Sequence, residues 1–361
     1  MPDGEFVPMQ AAMGGAFIGV ASGFFMILTA NIAGNSGALK SFVLMRTSEP
    51  AAIAFVCGLI TSGIIAARAM PDGTFEKPVP HGLSSLLGGI TIGLGTYLGS
   101  GCTSGHGLCG LSRFSLRALV AVPTFVISAM VSAVFSAEPV DEVKISFVWP
   151  PAKLSSEVLL IGAYCGGVLG SLLLLGVATI RMCLPDLAEV PRKSLPVTVK
   201  AASGLWCGAC CGVGLSFGGM VRPSTVQGGL NVLQPIDLTL WILFGTALVV
   251  TFILYRVAEG LGITQARVDA ATPAKIDKSL ILGAVLFGVG WGSTGFCPGP
   301  LIVSVAATPD ALSPVECLIG VTLGMHAASA LEGHEPSCAG PDAEARKASS
   351  NASSLPYHRM P

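Results

Sequence analysis

Two short stretches combine cysteine with residues that break helices: Gly101-Cys102-Thr103-Ser104-Gly105-His106-Gly107 and Gly295-Phe296-Cys297-Pro298-Gly299-Pro300. Glycine costs about 1 kcal/mol per residue in a helix relative to alanine, and proline fixes φ and removes a donor. Both stretches should therefore free backbone N–H and C=O groups. Freed N–H groups and helix N-termini bind anions without a basic side chain. An unperturbed cysteine is mostly a neutral thiol near neutral pH, a weak donor beside a polarizable sulfur. A thiol can donate to an anion that a thiolate would repel. Two such thiols suit a soft, sulfur-bearing anion passed from one to the other, through contacts weak enough to let it leave. The candidate path residues are Cys102 and Cys297 with Gly101, Thr103, Ser104, Gly105, His106, Cys109, Gly295, Pro298 and Gly299.

The other residues of interest have plainer readings. Cys57, Cys165 and Cys317 sit in apolar runs and read as packing. Cys207, Cys210 and Cys211 share a helix face among glycine and alanine, which favours tight packing over soft-metal binding. His106 reads as an orienting donor or a loop-fixing group, since one His and one Cys do not make a metal site. His326 either faces the path or caps a carbonyl. Arg113 and Arg222, at span ends, either snorkel or attract the anion.

The elements that must position these loops follow from composition. Of 361 residues, 52% are apolar and 11% charged, against roughly 25% charged in soluble domains. The 46 glycines stand at nearly twice average usage. A net charge of −1 excludes a nucleic-acid footprint, and the apolar content excludes a disordered chain. Eleven cysteines spread through apolar runs do not form a disulfide framework. What remains is an all-α, polytopic protein of the lipid bilayer. Nine stretches approach the about 20 apolar residues that a crossing needs: 11–30, 51–70, 82–99, 118–137, 158–180, 201–220, 238–255, 280–295 and 315–331. Only Arg68 and Glu316 are charged within them. The leader carries Asp3 and Glu5 and no basic residue, the wrong sign for a signal peptide.

Nine crossings place five basic residues (Arg68, Lys77, Lys144, Lys153, Arg222) on one side and the other 15 of 20 on the opposite side. The positive-inside rule then puts the amino terminus outside and the carboxyl terminus in the cytoplasm. Residues 332–361 read as a disordered cytoplasmic tail, in which the Asn351 glycosylation acceptor would be silent.

A repeat runs through the chain at an offset of 195 residues: Gly88, Gly93, Gly95 and Cys102 fall on Gly283, Gly288, Gly290 and Cys297. The two copies lie an odd number of crossings apart, so they run in opposite directions. That is the pattern of inverted repeats with a site at their interface, built from broken helices. The expected organisation is 1–150 as one half, 151–195 as a connector and 196–331 as the second half. A straight helix from Gly82 would carry Cys102 about 30 Å, fully across the membrane, so a meeting of the two cysteines demands spans that start recessed or ends that curl back.

At these residues the chain resembles the YeeE/YedE family of sulfur-compound transporters. The first half does so through Gly93-Leu94-Gly95 and the run from Gly101 through Cys109-Gly110-Leu111-Ser112-Arg113. The second half resembles the companion YedE-like module through Gly218-Gly219-Met220-Val221-Arg222-Pro223, Phe287-Gly288-Val289-Gly290-Trp291-Gly292 and the Cys297 motif, as though two modules were fused. The resemblance implies thiosulfate uptake through an hourglass-shaped protein, with Cys102 and Cys297 at relay positions. No cofactor is expected, and a cytoplasmic sulfur-acceptor protein is a candidate partner. The family tends to carry another cysteine near the end of the first span, where this chain reads Leu28-Thr29-Ala30-Asn31-Ile32. The competing readings are a membrane sulfurtransferase that forms a cysteine persulfide and a soft-metal transporter.

Overall fold

The structure is a computed structural model that describes residues 5–6, 8–29, 31–45, 49–70, 74–76, 82–136, 144–145, 197–260 and 276–331. The expected span 158–180, Cys165, the whole connector 151–195 and the tail 332–361 lie outside the described residues. Apart from a two-residue parallel pairing of Glu5–Phe6 with Lys144–Ile145, the regular structure is helical. Helices α1 (Pro8–Thr29), α2 (Asn35–Val43), α3 (Pro50–Ala69), α4 (Leu83–Leu98) and α5 (Leu116–Ser136) form the first group. Helices α6 (Val197–Phe217), α7 (Pro223–Leu230), α8 (Thr239–Gly260), α9 (Lys278–Thr294), α10 (Pro298–Ala307) and α11 (Leu312–Leu331) form the second.

Helices cover eight of the nine expected spans. Among the described residues, six apolar stretches are long enough to cross a bilayer, one of them being α9 and α10 taken together as Lys278–Ala307. The protein is a polytopic, all-α membrane protein. Helix α5 shows the lipid-facing logic, with Leu119, Ile127, Val131 and Phe135 exposed while Ala121, Phe125, Ala129 and Ala133 repeat every four residues on the buried face. Three short helices, α2, α7 and α10, lie between the expected spans. At 8 to 10 residues each they are too short to register as spans.

Small residues set the packing, as lipid supplies no hydrophobic drive between helices. Helix α3 packs on α6 and α1 on α8; α4 packs on α11 and α5 on α9; α1 also meets α6, and α4 meets α9. At the α4–α9 crossing a Cβ on Gly95 would lie 2.2 Å from Phe287 N and 2.7 Å from Gly283 O, and one on Gly290 would lie 2.7 Å from Gly88 O. The pairing of 95 with 283 and 88 with 290 makes these helices antiparallel. The same close approach runs α1 parallel to α8, where a Cβ on Gly15 would strike Leu243 O and one on Gly19 would approach Ala247 O.

Candidate functional site: two cysteine loops that meet

Helix α4 is 16 residues long, about 24 Å at 1.5 Å per residue, and so falls short of a full crossing. The chain turns back at Gly99 and at Ser100, whose φ of 56° is left-handed. It then runs extended through Cys102 (φ −136°, ψ −164°) into a π-helical turn, Thr103–Gly110. Such wide turns mark strained or functional places. His106 pins this one: buried at 9% exposure, its Nε2–H donates to Gly99 O at 2.9 Å. Gly101 makes room for the ring, since a Cβ there would lie 2.5 Å from it. His106 is thus a loop-fixing group. A short 3-10 turn, Leu111–Arg113, follows, and Arg113 Nε donates back to Cys109 O at 3.0 Å.

The second loop is built differently. Helix α9 closes on Gly295, whose φ is 71° and whose N–H donates to Trp291 O at 2.8 Å. Cys297 is extended (φ −100°, ψ 152°), and Pro298 opens α10 at its first position, where a missing N–H costs nothing. Each cysteine is therefore the residue that caps the helical turn after it, with the turn's N-terminus beside the thiol.

The loops meet at depth in the protein. Thr103 Oγ1 and Cys297 Sγ share a hydrogen bond of 3.0 Å, and Cys102 Sγ and Ser104 Oγ share one of 3.2 Å. The two thiols adjoin, and Ser36 also reaches Cys102. The curling back that a meeting requires is present. Both thiols are buried, Cys102 wholly.

Asn35, which sequence reading missed, ties the junction together. Its backbone N–H donates to Ser104 Oγ at 2.9 Å, and its Oδ1 accepts from Cys211 Sγ at 4.0 Å. Its amide fills the space beside Gly299. Cys211 thereby reaches the site, although its spacing favours tight packing. Cys109 lies apart, its thiol on Ala33 O at 3.6 Å and beside the Tyr255 hydroxyl. Gly105 is partly open, and a Cβ there would meet nothing within 4 Å.

A cavity of about 110 Å³, several times what a single water needs, reaches the junction at Asn35, Thr103, Ser104 and Cys297. Its walls are largely apolar, with Phe125, Met220, Trp241, Phe244 and Trp291 prominent. The Trp241 N–H donates to Gly229 O at 2.8 Å. The Trp291 N–H has no partner among the described residues, an arrangement that costs about 1–3 kcal/mol in a buried setting.

Other candidates lie elsewhere. His326 is exposed, with Nδ1 donating to Thr322 O on its own helix at 2.9 Å. Arg222 pairs with Glu76 (Nε to Oε1, 3.0 Å), whose carboxylate also accepts from Ser224 at the start of α7. Cys57 is exposed, and Cys317 is buried where α11 meets Gly89. Among the described residues no group of three or more His, Cys, Asp or Glu could hold a metal.

Comparison with known proteins agrees with the architecture. Residues 7–131 match a family described as sulphur transport, and residues 200–338 match a family of unknown function, DUF6691. A probable transporter of Xylella fastidiosa strain Temecula1 is 35% identical over 127 residues, covering 34% of this chain and 90% of the relative. A probable transporter of strain 9a5c has the same identity and coverage. A second one from that strain is 34% identical over 116 residues, 31% of this chain and 80% of its own length. The protein carries a small sulfur-containing substrate across a membrane. Broken apolar helices, a buried thiol pair, and relatives matched over nearly their whole length make this chain a member of the YeeE/YedE-like family of sulfur transporters.

Proposed function

We propose that the chain takes up thiosulfate, or a closely related sulfur anion, through the junction of the two loops, with Cys102 and Cys297 as successive thiol donors. The observation that carries this reading is the contact between the two thiols, of which Cys297 lines the cavity and Cys102 lies buried next to it. The anion enters from the cavity side, meets Cys297 and Thr103, and passes to Cys102 and Ser104. The N-termini of α2, α10 and the π-helical turn beside the thiols supply the positive end of peptide dipoles where lysine and arginine would bind too tightly for release.

The halves 1–150 and 196–331 are inverted repeats in this reading, joined by 151–195. Reciprocal packing supports it: Gly95 faces Gly283 while Gly290 faces Gly88, and each pair is exchanged by the 195-residue offset. The pairings of α3 with α6 and α1 with α8 exchange in the same way, as do those of α4 with α11 and α5 with α9. The basic residues support an outer amino terminus and a cytoplasmic carboxyl terminus, with a sulfur-acceptor protein on the cytoplasmic side.

The test is influx of labelled thiosulfate into proteoliposomes. Cys102→Ala and Cys297→Ala should each reduce influx to the level of empty vesicles, with the protein inserted normally. Undiminished influx in the double variant would remove the thiol mechanism.

A further inference from the structure

Cys102, Cys109, Cys211 and Cys297 are all buried free thiols, but they are held differently. Cys211 points at Asn35 Oδ1 and Cys109 at Ala33 O, so each is engaged with an oxygen. Cys102 and Cys297 adjoin each other. Their other side-chain partners are neutral hydroxyls: Ser104 and Ser36 beside Cys102, and Thr103 beside Cys297. Neither cysteine is a member of a helix. Both lie in extended backbone that flanks a helical N-terminus.

Access to the pair is one-sided. Cys297 lines the cavity, whereas Cys102 is wholly buried next to it. A reachable thiol with a second thiol directly against it is the arrangement of an attacking and a resolving cysteine.

We propose that Cys102 and Cys297 form a reversible disulfide when the passage meets a polythionate, a sulfur anion with an internal S–S bond, and that this link closes the passage. The closure rests on the proposed function; the disulfide itself does not. With tetrathionate the steps balance. Cys297 loses its proton and its sulfur attacks one of the two central sulfurs. That S–S bond breaks, a Cys297–S–S–SO3− adduct forms and one thiosulfate leaves. Cys102 then loses its proton and attacks the Cys297 sulfur, which forms the disulfide and expels a second thiosulfate. The two thiols give up two electrons, tetrathionate is reduced to two thiosulfates, and two protons go to water. The linked cysteines have no S–H to offer an anion, and the bond ties the two loops together across the junction. A reducing thiol reverses it by the same exchange.

The test treats the purified wild-type protein with tetrathionate, blocks the remaining thiols before unfolding, and maps peptides without reduction. The peptides that carry Cys102 and Cys297 should be joined, with the loss of two hydrogens. Influx of labelled thiosulfate into washed, oxidised proteoliposomes should fall to that of empty vesicles and return with dithiothreitol. Cys102→Ala, which lacks the resolving thiol, should keep the S–S–SO3− adduct on Cys297. An adduct that persists on Cys297 in the wild type, a wild type with neither modification, or a linked protein that still carries thiosulfate overturns the proposal. If the link forms but untreated protein shows no thiosulfate influx, the proposed function falls, and the closure with it, while the disulfide stands. If untreated influx requires both thiols and no link forms, only the disulfide falls.

Discussion

The Cys102 and Cys297 loops bring a thiol to the same place by unlike means. The first uses glycine and a pinned imidazole to shape a π-helical turn, and no proline at all. The second uses a left-handed glycine and then a proline that restarts a regular helix at once. What they share is smaller: an extended cysteine followed directly by a helical N-terminus. The difference teaches that the position of the thiol and the direction of the following peptide dipoles are the requirement, while the residues that break the helix are interchangeable.

Substitutions can break this comparison, and the largest effect is expected in the second loop. Gly295→Ala would force a side chain into left-handed backbone and place its Cβ 2.6 Å from Pro223 O. A loss of about 2–4 kcal/mol is expected, read as a lower melting temperature in detergent together with lost influx. Gly101→Ala meets the His106 ring first, at 2.5 Å. It should cost about 1–3 kcal/mol, and adding His106→Ala should recover part of that, as a double-mutant cycle would show. If the two glycine variants were equally damaging and His106→Ala rescued nothing, the first loop would not be pinned as described.

Gly105→Leu separates passage from folding. A Cβ there meets nothing within 4 Å, so the melting temperature should stay near that of wild type while influx falls roughly tenfold as the open space beside Gly105 fills. The smallest effect belongs to Thr103→Val, which deletes one neutral hydrogen bond to Cys297. That is worth about 0.5–1.5 kcal/mol and should appear as a few-fold change in influx. An effect of Thr103→Val as large as that of Cys297→Ala would make the hydroxyl, rather than the thiol, the group that matters at that station.

Much of the scaffold was legible from hydropathy, because a bilayer demands long apolar helices and the chain supplies them. The glycine repeat also announced itself, since close helix approach leaves no room for side chains at positions such as Gly95 and Gly283. Helices α2, α7 and α10 were not legible: at two to three turns they carry too little apolar length to stand out from loops. The contact between Cys102 and Cys297 was an inference from symmetry that no local pattern encodes. Asn35, Cys211 and Trp291 were harder still. Their significance comes from partners 69 to 176 positions away or, for Trp291, from the lack of one. Gly34 and Asn35 followed by Ser36 could have been read as the start of a helix from the cap preferences alone.

The exchange of partners across the chain has a consequence for how such a molecule is made. Helices α1 and α3 find their main neighbours in α8 and α6, not in one another, so residues 8–136 alone would leave glycine-lined faces bare to lipid and two helices without their mates. Neither portion is a finished object on release from the ribosome. Synthesis as one polypeptide delivers the complementary faces in equal number and at high local concentration. Cutting the chain between 137 and 196 should therefore yield fragments that survive only when produced together and that leave the membrane as a single complex.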